Sequence, residues 1–162
     1  MSEPRRKGAL VQVRAVTSSD AGSWLRMRCD LWPAGSESEH RDEIERFFAG
    51  QLREPLATLV ALNAAGDPVG FAELSIRSYA EDCVTDRVAY LEGWYVAPAA
   101  RRQGVGRALV RAAEEWARAQ GCTEFASDAL IDNDVSAAAH RALGFDETVQ
   151  LRCFRKDITP RE

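Results

Sequence analysis

The sequence predicts a single α/β domain. It has 162 residues, of which 46% are hydrophobic, and this is enough for one sizeable core. Strand-like alternation and helix-like periodicity follow one another in the order β-α-α-β-β-β-α-β-α-β, without a repeat or a low-complexity segment. We therefore expect one domain over residues 9–162, after a polar, basic tail at residues 1–8 that we expect to be disordered.

The first half of the chain predicts a strand, two helices and a pair of strands. Residues 9–16 alternate as a strand, and the hydroxyls of "TSSD" cap a helix over "AGSWLRMRCDLW". A second amphipathic helix covers roughly residues 38–49 and stops at Gly50. Strands at 56–64 and 69–78 flank the turn "AAGDP", so we expect them to pair antiparallel.

The second half predicts three strands and two helices. A strand at 87–96 precedes a helix whose apolar stripe runs from Val105 to Trp116 with the helical period. A strand follows at 123–129, then a short helix at 133–143 that a glycine terminates. The alternation of residues 145–156 predicts a final strand.

Composition excludes several classes of protein. The net charge of −4 and the pI near 5.3 give the whole chain no nucleic-acid footprint, so a polyanion would have to meet a local basic patch. The four cysteines form no CxxC pair and the two histidines are far apart, so we expect neither a metal site nor a disulfide framework. No apolar run approaches the ~20 residues of a membrane span, and no signal peptide is apparent. We expect a cytoplasmic protein without membrane partners.

The local basic patch is "RRQGVGR", which lies where the helix predicted after the strand at 87–96 begins. A helix start offers unpaired N–H groups and partial positive charge, and Gly104 and Gly106 let the main chain approach phosphate oxygens closely. The alternative is a solvated basic turn. A Walker loop is excluded because no GKS or GKT is present, and the G-x-G-x-x-G motif fails at Leu109.

Together, "YLEGWYVAP", "RRQGVG", "RALVRAAEEWA" and "NDVSAAAHRALGF" resemble the Gcn5-related N-acetyltransferase (GNAT) family over nearly the whole chain. The resemblance implies a mixed central β-sheet flanked by helices, and acetyl-CoA as co-substrate. Within the family, "LWP", "HRDEI", "FAELSIR", "YLEGWYV" and "SDALIDN" resemble enzymes that acetylate the 6′ amine of aminoglycosides.

The resemblance also implies which residues bind the cofactor. The main-chain amides of residues 103–107, which we call the phosphate loop, are expected to hold the pyrophosphate. The amide of Val96 is expected to stabilise the oxyanion, and Asn133 to contact coenzyme A. Asn133 is equally a natural helix N-cap, and one lone pair cannot serve both roles. The cofactor-binding residues expected in this way are Val96, Arg101, Arg102, Gln103, Gly104, Val105, Gly106, Arg107, Asn133 and Ser136.

Glu92 is the expected general base. It lies mid-strand, and two-residue alternation would place it on one face with Trp94 and Val96. Carboxylates in apolar strands commonly have a function, although Glu92 could instead face solvent or pair with an arginine. Because a carboxylate is a weak base toward an ammonium, we expect a relay through water.

His140 is the expected general acid, because it stands where many relatives have a tyrosine. With Asn133 and Ser136 it falls at i, i+3 and i+7, on one helix face. The alternative is a histidine that is only hydrogen-bonded at the helix surface.

Acidic residues predict a polycationic substrate. They crowd the second helix and the loop before the central strand, although such runs are often only solvated faces. Asp128, at a strand end, is the best placed to bind an amine, and Trp32 and Tyr79 are candidate walls for sugar rings. The resemblance and the exposed strand edges favour a homodimer.

Three functions remain open from the sequence. They are an aminoglycoside 6′-N-acetyltransferase, an acetyltransferase for a polyamine, peptide or protein amine, and a non-catalytic acetyl-CoA sensor. The acidic loops and the motifs shared with the aminoglycoside enzymes favour the first over the second. Glu92 and Asp128 favour an enzyme over a sensor.

Overall fold

A five-stranded sheet forms the centre of the fold in the computed structural model, which describes residues 11–159. The strands follow the order β1-β2-β3-β4-β5. The first three pairings are antiparallel and β4 pairs with β5 in parallel, so the sheet is mixed, as the resemblance implies. The elements are β1 Gln12–Ala15, α1 Ala21–Leu31, α2 Glu37–Phe48, β2 Ala57–Leu62, β3 Pro68–Arg77, β4 Val88–Val96, α3 Val105–Ala119, β5 Phe125–Ser127 and α4 Asp134–Ala142.

Local sequence signals account for the helix ends. Ser36 caps α2, since its hydroxyl accepts from the amide of Glu39 while the Glu39 side chain accepts from the Ser36 amide. Gly50 and Gly144 follow α2 and α4 with φ values of +68° and +91°, which a glycine adopts without a Cβ clash. The predicted starts and stops of these helices are therefore confirmed to within a few residues.

The sheet has helices on its two faces. On one side, which we call the α1–α2 face, Trp24 of α1 and Ile44 of α2 pack with Phe71 and Tyr95 of the sheet. On the other side, the α3 face, Ala117 of α3 packs against Ala89 of β4. Each side chain of a strand therefore points either to the α1–α2 face or to the α3 face.

Two expectations about the chain ends have different outcomes. The final strand predicted at 145–156 is wrong for the described residues, because no strand is formed after β5. Residues 1–8 lie outside the described residues, so the disordered tail stays a prediction. The described residues form two compact units, divided between Asp128 and Ala129, and the single domain over 9–162 also stays a prediction.

Two features are absent from residues 11–159. None of the helices there combines the length and the apolar character that crossing a bilayer requires. The same residues hold no group of His, Cys, Asp and Glu side chains arranged to bind a metal ion.

Candidate active site

A β-bulge interrupts strand β4 at Glu92. The pairing with β3 shifts by one residue here, because Gly93 and Leu91 lie opposite consecutive residues of β3. Glu92 lines a pocket on the α1–α2 face and a side chain at position 93 would point there too, whereas the Trp94 ring contacts helix α3. The prediction that Glu92 shares a face with Trp94 and Val96 is therefore wrong, since the bulge breaks the alternation on which it depended.

A chain of contacts connects the two carboxylates that the sequence singled out. Arg77 of β3 donates two hydrogen bonds to Glu92, at 2.9 and 2.6 Å, and its guanidinium stacks 3.5 Å from the centre of the Tyr90 ring. The Tyr90 hydroxyl donates to Asp128 at 3.1 Å. Glu92 is thus paired with an arginine and still lines a pocket, which combines two possibilities that the sequence left as alternatives.

Neighbouring groups in this series of contacts shift the pKa values of Arg77 and Tyr90. Accepting both hydrogen bonds, Glu92 raises the pKa of the Arg77 guanidinium above its ordinary value. Burial and the nearby Asp128 carboxylate raise the pKa of the Tyr90 phenol. Arg77 therefore stays a cation and Tyr90 a neutral donor throughout the physiological pH range.

The pocket beside Glu92 has a volume of about 270 Å³ and contains aromatic, acidic and basic groups. Trp32, which follows α1, forms one wall, so this predicted substrate residue and Glu92 are brought together. Tyr79 is 67% exposed in the loop after β3 and does not line the pocket. The lining residues are Arg28, Trp32, Glu43, Arg46, Leu52, Glu54, Pro55, Glu73 and Glu92.

A buried ion pair forms the floor of the pocket. Glu73 of β3 is 3% exposed, lies 3.3 Å from the Arg28 guanidinium and accepts a hydrogen bond of 2.9 Å from the indole of Trp24. Arg28 is also paired with Glu43 at the rim. Burial raises the pKa of Glu73 to about 7, and the Arg28 charge opposes this rise only in part.

The raised pKa of Glu73 makes stability depend on pH. Between its ordinary value of 4.5 and about 7, the folded chain binds more protons at this site than the unfolded chain. The contribution of Glu73 to the free energy of unfolding therefore falls as the pH rises through this window. We expect the difference between wild type and Glu73→Gln, measured by urea unfolding, to fall by roughly 1–3 kcal/mol across it. Parallel stability curves for the two proteins would contradict the assignment.

The amide of Val96 points to an open edge of strand β4. The neighbouring Ala97 amide donates to the Val69 carbonyl of β3, so alternation directs the Val96 amide to the opposite edge. Among the described residues, β5 pairs with that edge only from Ala89 to Leu91. Strand β5 ends at Ser127, opposite Leu91, so its pairing does not reach the Val96 amide that is expected to stabilise an oxyanion.

The predicted phosphate loop leads directly into helix α3. Gly104 is the N-cap residue with a φ of +82°, and it has no side chain to accept from the first-turn amides beginning at Val105. Side chains brace the loop: Arg101 donates to the Val96 carbonyl at 2.9 Å, and Gln103 donates to the preceding turn at 2.9 Å. The first-turn amides of α3 therefore have no side-chain cap.

The remaining loop residues complete a basic and closely packed helix start. Arg102 and Arg107 are exposed, so both charges face solvent. Gly106 lies against the Trp94 ring, and an added Cβ would come within 3.0 Å of it. Position 106 is thus glycine because a side chain would clash with Trp94, whereas position 104 is glycine because of its backbone conformation.

The second unit contains the predicted acid on helix α4. The Asn133 side chain accepts from the Ser136 amide at 3.0 Å, which confirms the N-cap interpretation. The His140 Nδ1 lies 2.8 Å from the Ser136 carbonyl, and the His140 ring packs edge-on against Phe145. The roles of Asn133, Ser136 and His140 toward coenzyme A stay predictions.

Three residues near the site were not predicted from the sequence: Arg77, Tyr90 and Glu73. Glu73, like Glu92, is a carboxylate in an apolar strand, so the same sequence signal could have identified it. Arg77 and Tyr90 become visible only once the register of β3 on β4 is known.

Comparison with known proteins connects this geometry to a family. The acetyltransferase (GNAT) family model matches residues 24–145. A relative from Klebsiella aerogenes named aminoglycoside N(6')-acetyltransferase type 1 is 58% identical over 146 residues, covering 90% of this chain and 96% of the relative. A relative of the same name from Stenotrophomonas maltophilia is 38% identical and covers 91% and 94% of the two chains.

Solved structures agree with the sequence relatives. Aminoglycoside 6'-N-acetyltransferase AAC(6')-Ih from Acinetobacter baumannii superposes with a TM-score of 0.84 at 38% identity, covering 93% of this chain and all of that one (100%). AAC(6')-Iy, solved with the bisubstrate analogue CoA-S-monomethyl-acetylneamine, superposes with a TM-score of 0.83 at 32% identity, covering 92% and 99%.

Proposed function

The chain belongs to the acetyltransferase (GNAT) family, and on this premise we propose that it acetylates the 6′ amine of aminoglycosides with acetyl-CoA as donor. The observation that carries the proposal is a pocket containing Trp32 and the Arg77-bound Glu92, in a chain that is 58% identical to an enzyme of that name. The enzyme class and the acetyl-CoA co-substrate follow from this family and these relatives.

The proposed reaction is direct attack within a ternary complex. The 6′ ammonium gives a proton through water to Glu92, and the free amine attacks the thioester carbon. The Val96 amide donates to the oxyanion as it forms. The carbon–sulfur bond then breaks, and the thiolate of coenzyme A receives a proton from His140. The nitrogen, which became positively charged when it attacked, gives its second proton to solvent and leaves a neutral amide. No step uses an enzyme nucleophile, so initial-rate lines are expected to intersect.

The cofactor is proposed to lie at the start of α3. The uncapped amides of the first turn and the loop meet the pyrophosphate, with Arg101, Arg102 and Arg107 supplying positive charge. Gln103 contributes its main-chain amide, because its side chain is already bonded within the loop. Asn133 and Ser136 are proposed to contact coenzyme A through groups that the helix cap does not use.

A panel of acceptors tests the proposed activity directly. Aminoglycosides with a 6′ amine should be acetylated and those with a 6′ hydroxyl should not, because a neutral hydroxyl is a much weaker nucleophile toward the thioester than an amine. The acceptor KM should rise with salt, since exposed charges are screened. Thiol release from acetyl-CoA measures both, with spermidine and a peptide amine as comparison acceptors. Equal turnover of spermidine and kanamycin would favour a polyamine acetyltransferase instead.

His140 can be tested by two substitutions. His140→Ala should lower kcat by up to about 100-fold with little change in acetyl-CoA binding, because a general acid is lost. His140→Tyr should recover part of that loss, since a phenol can also donate a proton. Rates are measured by thiol release across about pH 6–9, because ordinary imidazoles and thiols titrate within this range. Wild-type rates for the alanine variant at every pH would make His140 a helix-surface residue.

We also propose one acetyltransferase domain over residues 9–162, which works as a homodimer in the cytoplasm. The family model spans both compact units, which favours a single domain. In the second unit the segment after α4 leaves large apolar side chains uncovered, with Phe154 91% exposed, and a second copy would shield them. Reduced cysteines and acetyl-CoA use favour the cytoplasm. Sedimentation equilibrium tests the dimer.

A further inference from the structure

We propose that Gly93 is a specificity-determining residue, because its missing side chain lets Trp32 lie beside Glu92 and so fixes the position of one wall of the acceptor pocket. The proposal rests on the proposed aminoglycoside acetyltransferase function and assigns a role that the substrate class alone does not imply.

Gly93 has no conformational reason to be glycine. It lies inside β4, paired on the β3 side, and it is absent from the described residues with positive φ. A glycine within a strand destabilises the fold by roughly 0.5–1 kcal/mol relative to alanine. A spatial constraint is therefore the explanation for this residue type.

The Trp32 ring supplies that constraint. A Cβ at position 93 would lie 2.6 Å from Cη2 and 2.9 Å from Cζ2 of Trp32, and 3.5 Å from the Phe71 ring. The first two distances are shorter than any ordinary carbon–carbon contact, for which the optimum is about 3.5–4.0 Å. The indole therefore rests directly on the backbone of the strand.

Three neighbours prevent the indole from moving aside. The Arg28 guanidinium lies 5.2 Å from the ring centre, and the His40 ring stacks at 6.2 Å with an interplanar angle of 28°. Phe71 contacts the indole edge-on at 6.2 Å between ring centres. Arg28 is itself held by the ion pairs with Glu73 and Glu43, so the ring has little freedom to turn away.

The bulge converts this packing contact into a property of the site. It directs position 93 to the same face as Glu92, so the ring that rests on Gly93 is the pocket wall next to the Glu92 carboxylate. A displacement of about 1 Å at a reacting centre can lower rates by about a hundredfold. A methyl group at position 93 should thus disturb the acceptor without touching the cofactor loop.

The experiment compares Gly93→Ala in two backgrounds. In the wild type we expect the acceptor KM to rise by about tenfold to a hundredfold while the acetyl-CoA KM is unchanged. In a Trp32→Phe background, which lacks Cη2 and Cζ2, Gly93→Ala should add no further loss. An equal additional loss in that background would overturn the proposal, as would an unchanged acceptor KM in the folded single variant.

A readout independent of turnover separates this proposal from the proposed function. Protein labelled with 5-fluorotryptophan should show a ¹⁹F shift of the Trp32 resonance in Gly93→Ala, with that resonance assigned by its loss in Trp32→Phe. An unmoved Trp32 resonance overturns the proposal even if aminoglycosides are acetylated. Absence of acetylation by the wild type overturns the proposed function alone. If Gly93→Ala fails to fold, the double variant must fold, and a double variant that also fails overturns the clash with Trp32.

Discussion

Glu92→Gln should lower kcat by about 10²- to 10⁴-fold, the range expected when a general base is lost. Glutamine keeps the size of the side chain and can still accept from Arg77 through its amide oxygen, so the pocket should keep its shape. What is lost is the negative charge that attracts the 6′ ammonium and the carboxylate that receives its proton. The loss should therefore appear in kcat and in the acceptor KM, while the acetyl-CoA KM stays unchanged.

Steady-state thiol release with both substrates varied measures these effects. Glu115→Gln is the matched control, because Glu115 is an exposed glutamate on α3, and it should have wild-type rates. A Glu92→Gln enzyme within a few-fold of the wild type would remove Glu92 from the mechanism. The water that replaces it as base would then have to be activated by another group.

Gly104→Val should weaken acetyl-CoA binding by at least about tenfold, or about 1.4 kcal/mol of binding free energy. Gly104 has a φ of +82°, which a β-branched residue adopts only with strain, so the loop amides should move from their places. A Cβ at this position would meet nothing within 4 Å in the protein, so it would project into the space before the helix start. Both effects oppose the close approach of a pyrophosphate.

Gly66 offers a matched control for the strain. It lies in the turn between β2 and β3 with a φ of +86°, and a Cβ there would also meet nothing within 4 Å. Gly66→Val should therefore cost similar stability in thermal unfolding and leave acetyl-CoA affinity unchanged in isothermal titration calorimetry. Equal affinities for folded Gly104→Val and Gly66→Val would remove the phosphate-loop assignment.

Local signals made the helices and most strands predictable from the sequence. The capping box at Ser36 and the glycines after α2 and α4 act within a few residues of themselves, so they can be recognised without a structure. The strand predicted at 145–156 had the correct alternation. A strand exists only when a neighbour pairs with it, and alternation does not specify that neighbour.

The site was less predictable because it depends on register. Glu92 was found from its position in an apolar strand, but its face was wrong, since one bulge reverses the direction of every side chain beyond it. Arg77 and Glu92 are 15 residues apart in the sequence, and only the pairing of β3 with β4 brings them together. The glycine of "LEGW" gave no signal of its role, because Trp32 approaches it from a distant helix end.

The two helix layers bear on the order in which the products leave the enzyme. The Glu92 pocket is lined by residues of the α1–α2 face, whereas the start of α3 lies on the other face of the sheet. At the sites proposed for them, the donor and the acceptor approach the sheet from opposite faces. We therefore expect coenzyme A and the acetylated aminoglycoside to leave in either order.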